Sequence, residues 1–212
     1  MASQVAQLEE ILRTGQTWDG RRFSGAEVKL LSRYYELTLK WNGRLHLTTL
    51  TQPQAFFERH ILESALAESL ILHGVRQVWD LGSGLGIPGM VMAILRHGLT
   101  VHLVEASRNK AVFLEAAVEA LQLDKVKVVK CRFESLEDLP ANSCLTVRAV
   151  EEMEKWIPEI MRLGDGAAQI LIFGSKHLED RVRVFLTGQR QMKSRLIPGS
   201  ERRYLMNIVC ST

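Results

Sequence analysis

Acidic and glycine residues at short, regular spacing single out one stretch of this chain: Val78-Trp79-Asp80-Leu81-Gly82-Ser83-Gly84-Leu85-Gly86-Ile87-Pro88-Gly89. Alternate glycines let the backbone take positive φ and admit a ligand close to the main chain. The apolar residues before them read as the end of a strand. Pro88 fits the first turn of a helix, where its missing N–H removes no bond. A strand, a glycine turn and a helix N-terminus, in that order, make a nucleotide-type site in an α/β sheet. A second carboxylate, Glu105, ends the next apolar run, Thr100-Val101-His102-Leu103-Val104, where it can accept both hydroxyls of a ribose. Glu105 therefore points to a nucleoside without choosing which one.

These residues need a scaffold. From residue 75 onward, apolar runs alternate with helical periodicities. Strand 75–81 leads to helix 88–97, and strand 100–105 to helix 107–122. Strand 126–130 leads to a loop at Cys131-Arg132-Phe133-Glu134, strand 144–148 to helix 152–163, and strand 168–173 to helix 176–187. The runs 191–197 and 203–210 read as an antiparallel pair. Such alternation implies a parallel sheet with helices on both faces. Residues 1–74 read as a helical extension packed on the domain formed by 75–212, because no Pro/Gly/Ser-rich spacer separates them. Its first helix covers 4–13, and a capping box at Ser24-Gly25-Ala26-Glu27 opens a second that Asn42-Gly43 ends. A third begins at Thr51-Gln52-Pro53-Gln54 and closes at Gly74. Trp41, Trp79 and Trp156 are expected in the core rather than stacked on a base.

The frame around the glycines narrows the nucleotide. Gly84-x-Gly86-x-x-Gly89 formally fits a dinucleotide fingerprint. The wider pattern Asp80-x-Gly82-x-Gly84-x-Gly86, however, resembles the opening of S-adenosylmethionine (SAM) methyltransferases. That resemblance implies that Gly82 and Gly84 pass the methionine end of the cofactor and that Asp80 engages its ammonium, often through water. Alternating β and α elements closed by an antiparallel hairpin are similar to the Rossmann-like fold of those enzymes.

A more specific resemblance is carried by several stretches together. Leu39-Lys40-Trp41-Asn42 with Leu45-His46-Leu47-Thr48, Arg59-His60-Ile61-Leu62-Glu63-Ser64 and the glycine stretch itself stand in the order and spacing of the RsmG family, also called glucose-inhibited division protein B. The likeness continues through Leu103-Val104-Glu105-Ala106-Ser107, Cys131-Arg132-Phe133-Glu134 and Val147-Arg148-Ala149, and covers nearly the whole chain. It implies a mostly parallel, seven-stranded α/β sheet, SAM as cofactor, and methyl transfer to N7 of one guanine in 16S ribosomal RNA of the small ribosomal subunit. Residue by residue, Gly82 and Ile87 match loop positions that contact SAM. Phe133 and Glu134 match the pair flanking the adenine, and Arg148 matches an arginine at the cofactor site. The chain departs from the family at His46, Glu63 and Val147, and at Gly174, where the Leu-Lys-Gly after the fifth strand becomes Phe173-Gly174-Ser175-Lys176. A SAM enzyme with another acceptor, or a nucleotide-binding module without catalysis, are the alternatives these departures leave.

Guanine N7 carries a lone pair and no proton, so its methylation calls for positioning and desolvation rather than a general base. Arg59 and His60 are accordingly read as packing the helical extension or touching RNA. The chain of 212 residues has 46% hydrophobic and 24% charged residues and a net charge of +3, ordinary for a globular protein. Any case for nucleic acid must rest on local patches, and Arg181, Arg183, Arg190, Lys193, Arg195, Arg202 and Arg203 against Glu201 form one. A solvated face explains the same bias. Cys131, Cys144 and Cys210 show no metal-ligand spacing and point to a reducing, cytoplasmic setting. The N-terminus opens no secretory pattern, and no apolar run approaches the ~18 residues of a membrane span. A monomer is expected. Asn/Asp-Pro-Pro-aromatic and Pro-Cys motifs are absent from the sequence, which disfavours exocyclic-amine and cysteine-nucleophile methylation.

Overall fold

A computed structural model describes residues 1–186, 188 and 190–210. Strands β1 (Gln77–Leu81), β2 (Thr100–Val104), β3 (Val126–Val129), β4 (Ser143–Val147) and β5 (Gln169–Gly174) are mutually parallel, and β6 (Arg190–Leu196) and β7 (Tyr204–Cys210) complete the sheet. The order is β3-β2-β1-β4-β5-β7-β6, with β7 antiparallel to both its neighbours. Every residue of β4 is buried, as a strand covered on both faces requires. Leu81 lies level with Val104 on one side and Val147 on the other. The chain order reverses between β1 and β4, so their carboxyl ends frame a topological switch point, the place where α/β sheets bind ligands.

Helices α5 (Gly89–Leu95) and α6 (Arg108–Leu121) share one apolar cluster with the N-terminal helices α1 (Ala2–Thr14), α2 (Gly25–Leu45), α3 (Pro53–Phe56) and α4 (Glu63–Ser69). Helices α7 (Met153–Leu163) and α8 (Lys176–Val184) build a second cluster. The capping box forms: Ser24 Oγ accepts the Glu27 N–H at 3.3 Å and the Glu27 carboxylate accepts the Ser24 N–H at 2.7 Å. The fully buried Tyr34 of α2 donates its hydroxyl to the Leu85 carbonyl at 2.5 Å. The extension therefore pins the glycine loop directly.

Several boundaries differ from the sequence expectation, each for a local reason. Helix α2 does not stop at Asn42-Gly43 but runs to Leu45 and ends on His46 at φ 48°. Asn42 is engaged elsewhere, its amide exchanging hydrogen bonds of 2.9 and 2.8 Å with the Thr48 backbone. The third helix is broken by a π-helical segment, Phe57–Leu62, and ends at Ser69 rather than Gly74. Gln169, fully buried in β5, takes over its end by accepting the Leu72 N–H at 3.0 Å and donating to the Leu70 carbonyl at 2.8 Å. Pro88 sits one residue before α5 rather than inside it. Helix α8 ends at Val184, three residues early, and Thr187 lies outside the described residues. Trp41, Trp79 and Trp156 are half-buried and pack against the two apolar clusters, since rings of this size are rarely covered completely. Trp41 meets Phe113 edge-on, Trp79 stacks on His102 at 4.0 Å, and Trp156 meets Phe133 edge-on at 5.3 Å. Among the described residues no helix is long and apolar enough to cross a membrane.

Candidate active site

After β1 the chain turns through Gly82, Gly84 and Gly86 at φ of 63°, 56° and 93°. Residues with a side chain rarely adopt these values, whereas glycine does so without strain. The turn is tied at several points. Ser83 N–H donates to the Val104 carbonyl at 3.0 Å, Gly86 N–H to the Ser83 carbonyl at 2.6 Å, and Ser83 Oγ to the Asp80 carbonyl at 2.7 Å. At the end of β2 the Glu105 carboxylate accepts the Gly84 N–H through one oxygen and the Ser107 N–H through the other, both at 2.7 Å. An ionised carboxylate offers roughly four acceptor sites. Two remain for a ligand's hydroxyls.

Over this loop lies a cavity of about 460 Å³, within the range of small-molecule sites. Its walls include Gly82, Glu105, Phe133 and Glu134, so half of the residues expected to hold a cofactor meet around one space. Phe133 packs edge-on against Trp156, another wall residue. The Glu134 carboxylate holds Arg132 at 2.9 Å. The far wall is the segment Ala149–Glu152 between β4 and α7, in which Ala149 and Glu152 both stand near φ 50°. Two non-glycine residues in the left-handed region mark backbone strain of the kind that collects at functional sites. A second cavity, about 570 Å³, opens on the other side of that segment. Both cavities share Ala149, Val150, Glu152 and Lys155, and the second adds Met153, Glu154, Phe173, Gly174, Ser175 and Leu178.

The other four expected residues lie off the first cavity's walls. Gly84 acts through its N–H to Glu105, and Ile87, within the loop, is buried. Asp80 is 1% exposed and turns into the protein. Its two oxygens accept Thr146 Oγ1 at 2.9 Å and the Gly89 N–H at 3.2 Å, so it buckles β1 to β4 and to the start of α5. Burial pushes its pKa up to about 7, against those hydrogen bonds. Arg148 points toward the helical extension, donating to the Arg59 carbonyl at 2.7 Å and pairing with Glu63 at 3.2 Å. His60 is buried on Thr48 Oγ1 at 3.0 Å, and desolvation, with the nearby Arg148 and Arg59 charges, lowers its pKa to about 3. It is a neutral packing residue. Lys176, two positions after Gly174, binds Glu179 of its own helix at 3.0 Å. The basic patch of residues 181–203 also divides: Arg183 pairs with Glu179 and Arg190 caps carbonyls after α7, whereas Arg181, Lys193, Arg195 and Arg202 are exposed. Sequence reasoning missed Val150, Glu152, Lys155 and Trp156 as wall residues. Only their position after β4 could have signalled them.

Compared with known proteins, residues 27–195 match the family model described as GidB, rRNA small subunit methyltransferase G. The chain belongs to that family. A ribosomal RNA small subunit methyltransferase G of Pseudomonas fluorescens is 31% identical over 183 residues, covering 86% of this chain and 85% of that protein. The namesake from Stenotrophomonas maltophilia is 37% identical over 123 residues, and the match spans 58% of this chain and only 57% of that relative. Among solved structures, a METTL16 methyltransferase domain superposes with a TM-score of 0.61 at 14% identity, covering 100% of this chain and 91% of its own. TYW2 of M. jannaschii, solved in complex with AdoMet, gives a TM-score of 0.51 at 11% identity over 71% of this chain and 75% of its own. At such identities the structural likeness establishes the Rossmann-like methyltransferase fold of this GidB-family chain and nothing finer.

Proposed function

We propose that this GidB-family protein transfers a methyl group from SAM to N7 of a guanine in 16S ribosomal RNA of the small ribosomal subunit. The observation that carries the reading is the first cavity. It places a carboxylate with spare acceptor sites, a positive-φ glycine and an aromatic–acid pair around one nucleoside-sized space, in a chain of this family. In this reading Gly82 would give the close backbone approach, Glu105 would hold the ribose, and Phe133 and Glu134 would flank the adenine. Asp80, Gly84, Ile87 and Arg148 act one layer out, shaping the loop and the acceptor side. When bound, SAM supplies an electrophilic methyl on a sulfonium. The second cavity, an open cleft with Met153, Phe173 and Leu178 on its apolar side and Glu152, Glu154, Lys155 and Ser175 on its polar side, would receive the acceptor base across the shared Ala149–Glu152 segment. An N7 lone pair needs no proton removed, so the neutral, buried His60 has no acid–base task. One chain supplies both cavities, which supports action as a monomer, in the cytoplasm where small subunits are found. Residues 75–212 form the methyltransferase domain, with 1–74 as its helical extension.

Titration with SAM and NAD tests the cofactor, and transfer of labelled methyl from SAM to small-subunit rRNA tests the reaction. SAM binding without NAD binding, followed by label in guanine, is the expected result. NAD binding, or label in another acceptor, contradicts it. Glu105→Ala removes a charged acceptor worth about 1.5–3 kcal/mol, so SAM affinity is expected to fall roughly 10- to 150-fold in calorimetry. A change under about twofold would mean that the ribose does not meet Glu105.

A further inference from the structure

Beside the second cavity, three guanidinium groups from distant segments converge on one carboxylate. Glu63 is 1% exposed. One of its oxygens accepts Arg59 Nε and Arg203 Nε, both at 2.9 Å, and the other faces Arg148 Nη2 at 3.2 Å. One carboxylate among three arginines leaves an excess of positive charge, and Asp80 adds only a weaker attraction on Arg148. A buried charge normally has its partners balanced and its donors satisfied. Here Arg148 Nη1 is buried without a hydrogen-bond partner. Arg59 and Arg203 remain 35% and 33% exposed. Each spends Nε on Glu63, and among the described residues no hydrogen bond engages the terminal nitrogens of either. Two planar forks are thus held in place by their inner nitrogens, with outer N–H groups turned to solvent. That is an arrangement for a tetrahedral anion. The cluster also adjoins the acceptor side. Arg148 lies over the Phe173 ring at 5.5 Å, and Tyr204, next to Arg203, pairs with Gly174; Phe173 and Gly174 both wall the second cavity.

We propose that Arg59 and Arg203, held on Glu63, seat a backbone phosphate of the RNA strand whose base enters the second cavity. This rests on the RNA-methyltransferase reading above. The Glu63 carboxylate is a positioning group that fixes both forks, and Arg148 ties them to the cavity wall.

The test uses the full chain and a transcribed small-subunit rRNA, with affinity measured at several KCl concentrations for wild type, Arg203→Gln and Arg203→Lys. Glu63 keeps two arginine partners in either variant, and melting curves check the fold. Arg203→Gln is expected to bind RNA roughly tenfold more weakly at about 50 mM salt, with a log–log salt slope shallower by about 0.7–0.9. Arg203→Lys keeps the charge and the slope, and SAM affinity stays at the wild-type value in both. If Arg203→Gln unfolds, Arg59→Gln is read in the same way. A purely structural cluster would lower the melting temperature and leave parallel salt lines, which overturns the phosphate seat. Methyl transfer to this RNA by wild type, together with parallel lines, sinks the seat alone. Wild type that neither methylates nor binds the RNA overturns the functional reading and the seat with it.

Discussion

The substitution Gly82→Val is expected to abolish SAM binding, by more than about 100-fold, while the protein still folds. Gly82 stands at φ 63°, and a Cβ there would lie 2.9 Å from Val150 Cγ2 on the opposite wall of the first cavity. A left-handed conformation costs a residue with a Cβ roughly 1–2 kcal/mol. That is survivable within a typical stability of about 5–15 kcal/mol. The branched side chain then fills space between the loop and the Ala149–Glu152 segment, where the cofactor must enter. Calorimetry gives the affinity and a melting curve gives the stability cost. Wild-type affinity in a folded Gly82→Val protein would place the cofactor elsewhere.

The substitution Asp80→Asn is expected to remove a large pH-dependent cost. Burial pushes the Asp80 pKa up to about 7 in the folded protein, from an ordinary value of 3.8. Between those values the folded state holds a proton that the unfolded state has lost, so the group's effect on stability declines as pH rises through the window. The full span corresponds to about 4 kcal/mol. An asparagine amide there would keep an acceptor for the Gly89 N–H and present an N–H to Thr146 Oγ1, imitating the protonated acid. His60 contributes with the opposite sign. Its folded pKa, lowered to about 3 from 6.5, gives stability that is present above the higher value and is lost as pH falls toward the lower. Because His60 is common to both proteins, the difference between Asp80→Asn and wild type isolates Asp80. Urea unfolding is expected to show near-equal stabilities at about pH 4 and a growing advantage of the variant up to about pH 8. A constant difference across that range would contradict the raised pKa.

What was legible in the sequence follows from what is local. The glycine turn, the Ser24–Glu27 capping box and the alternating strands and helices are set by neighbouring residues, and the fold follows from them. The placement of Gly82, Glu105, Phe133 and Glu134 on one cavity follows as well, since all lie at or after strand ends. Side-chain direction was not legible. Asp80 turns inward because Thr146 is its register partner on β4, a long-range pairing. Arg148 turns away because Glu63, far earlier in the chain, draws it. The early end of α4 depends on Gln169 in β5. The left-handed residues Ala149 and Glu152 carry no glycine to announce them.

Mass spectrometry of nucleosides from 16S ribosomal RNA, in cells with and without this protein, tests the central claim most directly. Loss of one 7-methylguanosine from the RNA when the protein is absent, restored by the wild-type chain and not by the Gly82→Val variant, is the predicted result. An unchanged 7-methylguanosine content in cells lacking the protein would contradict it.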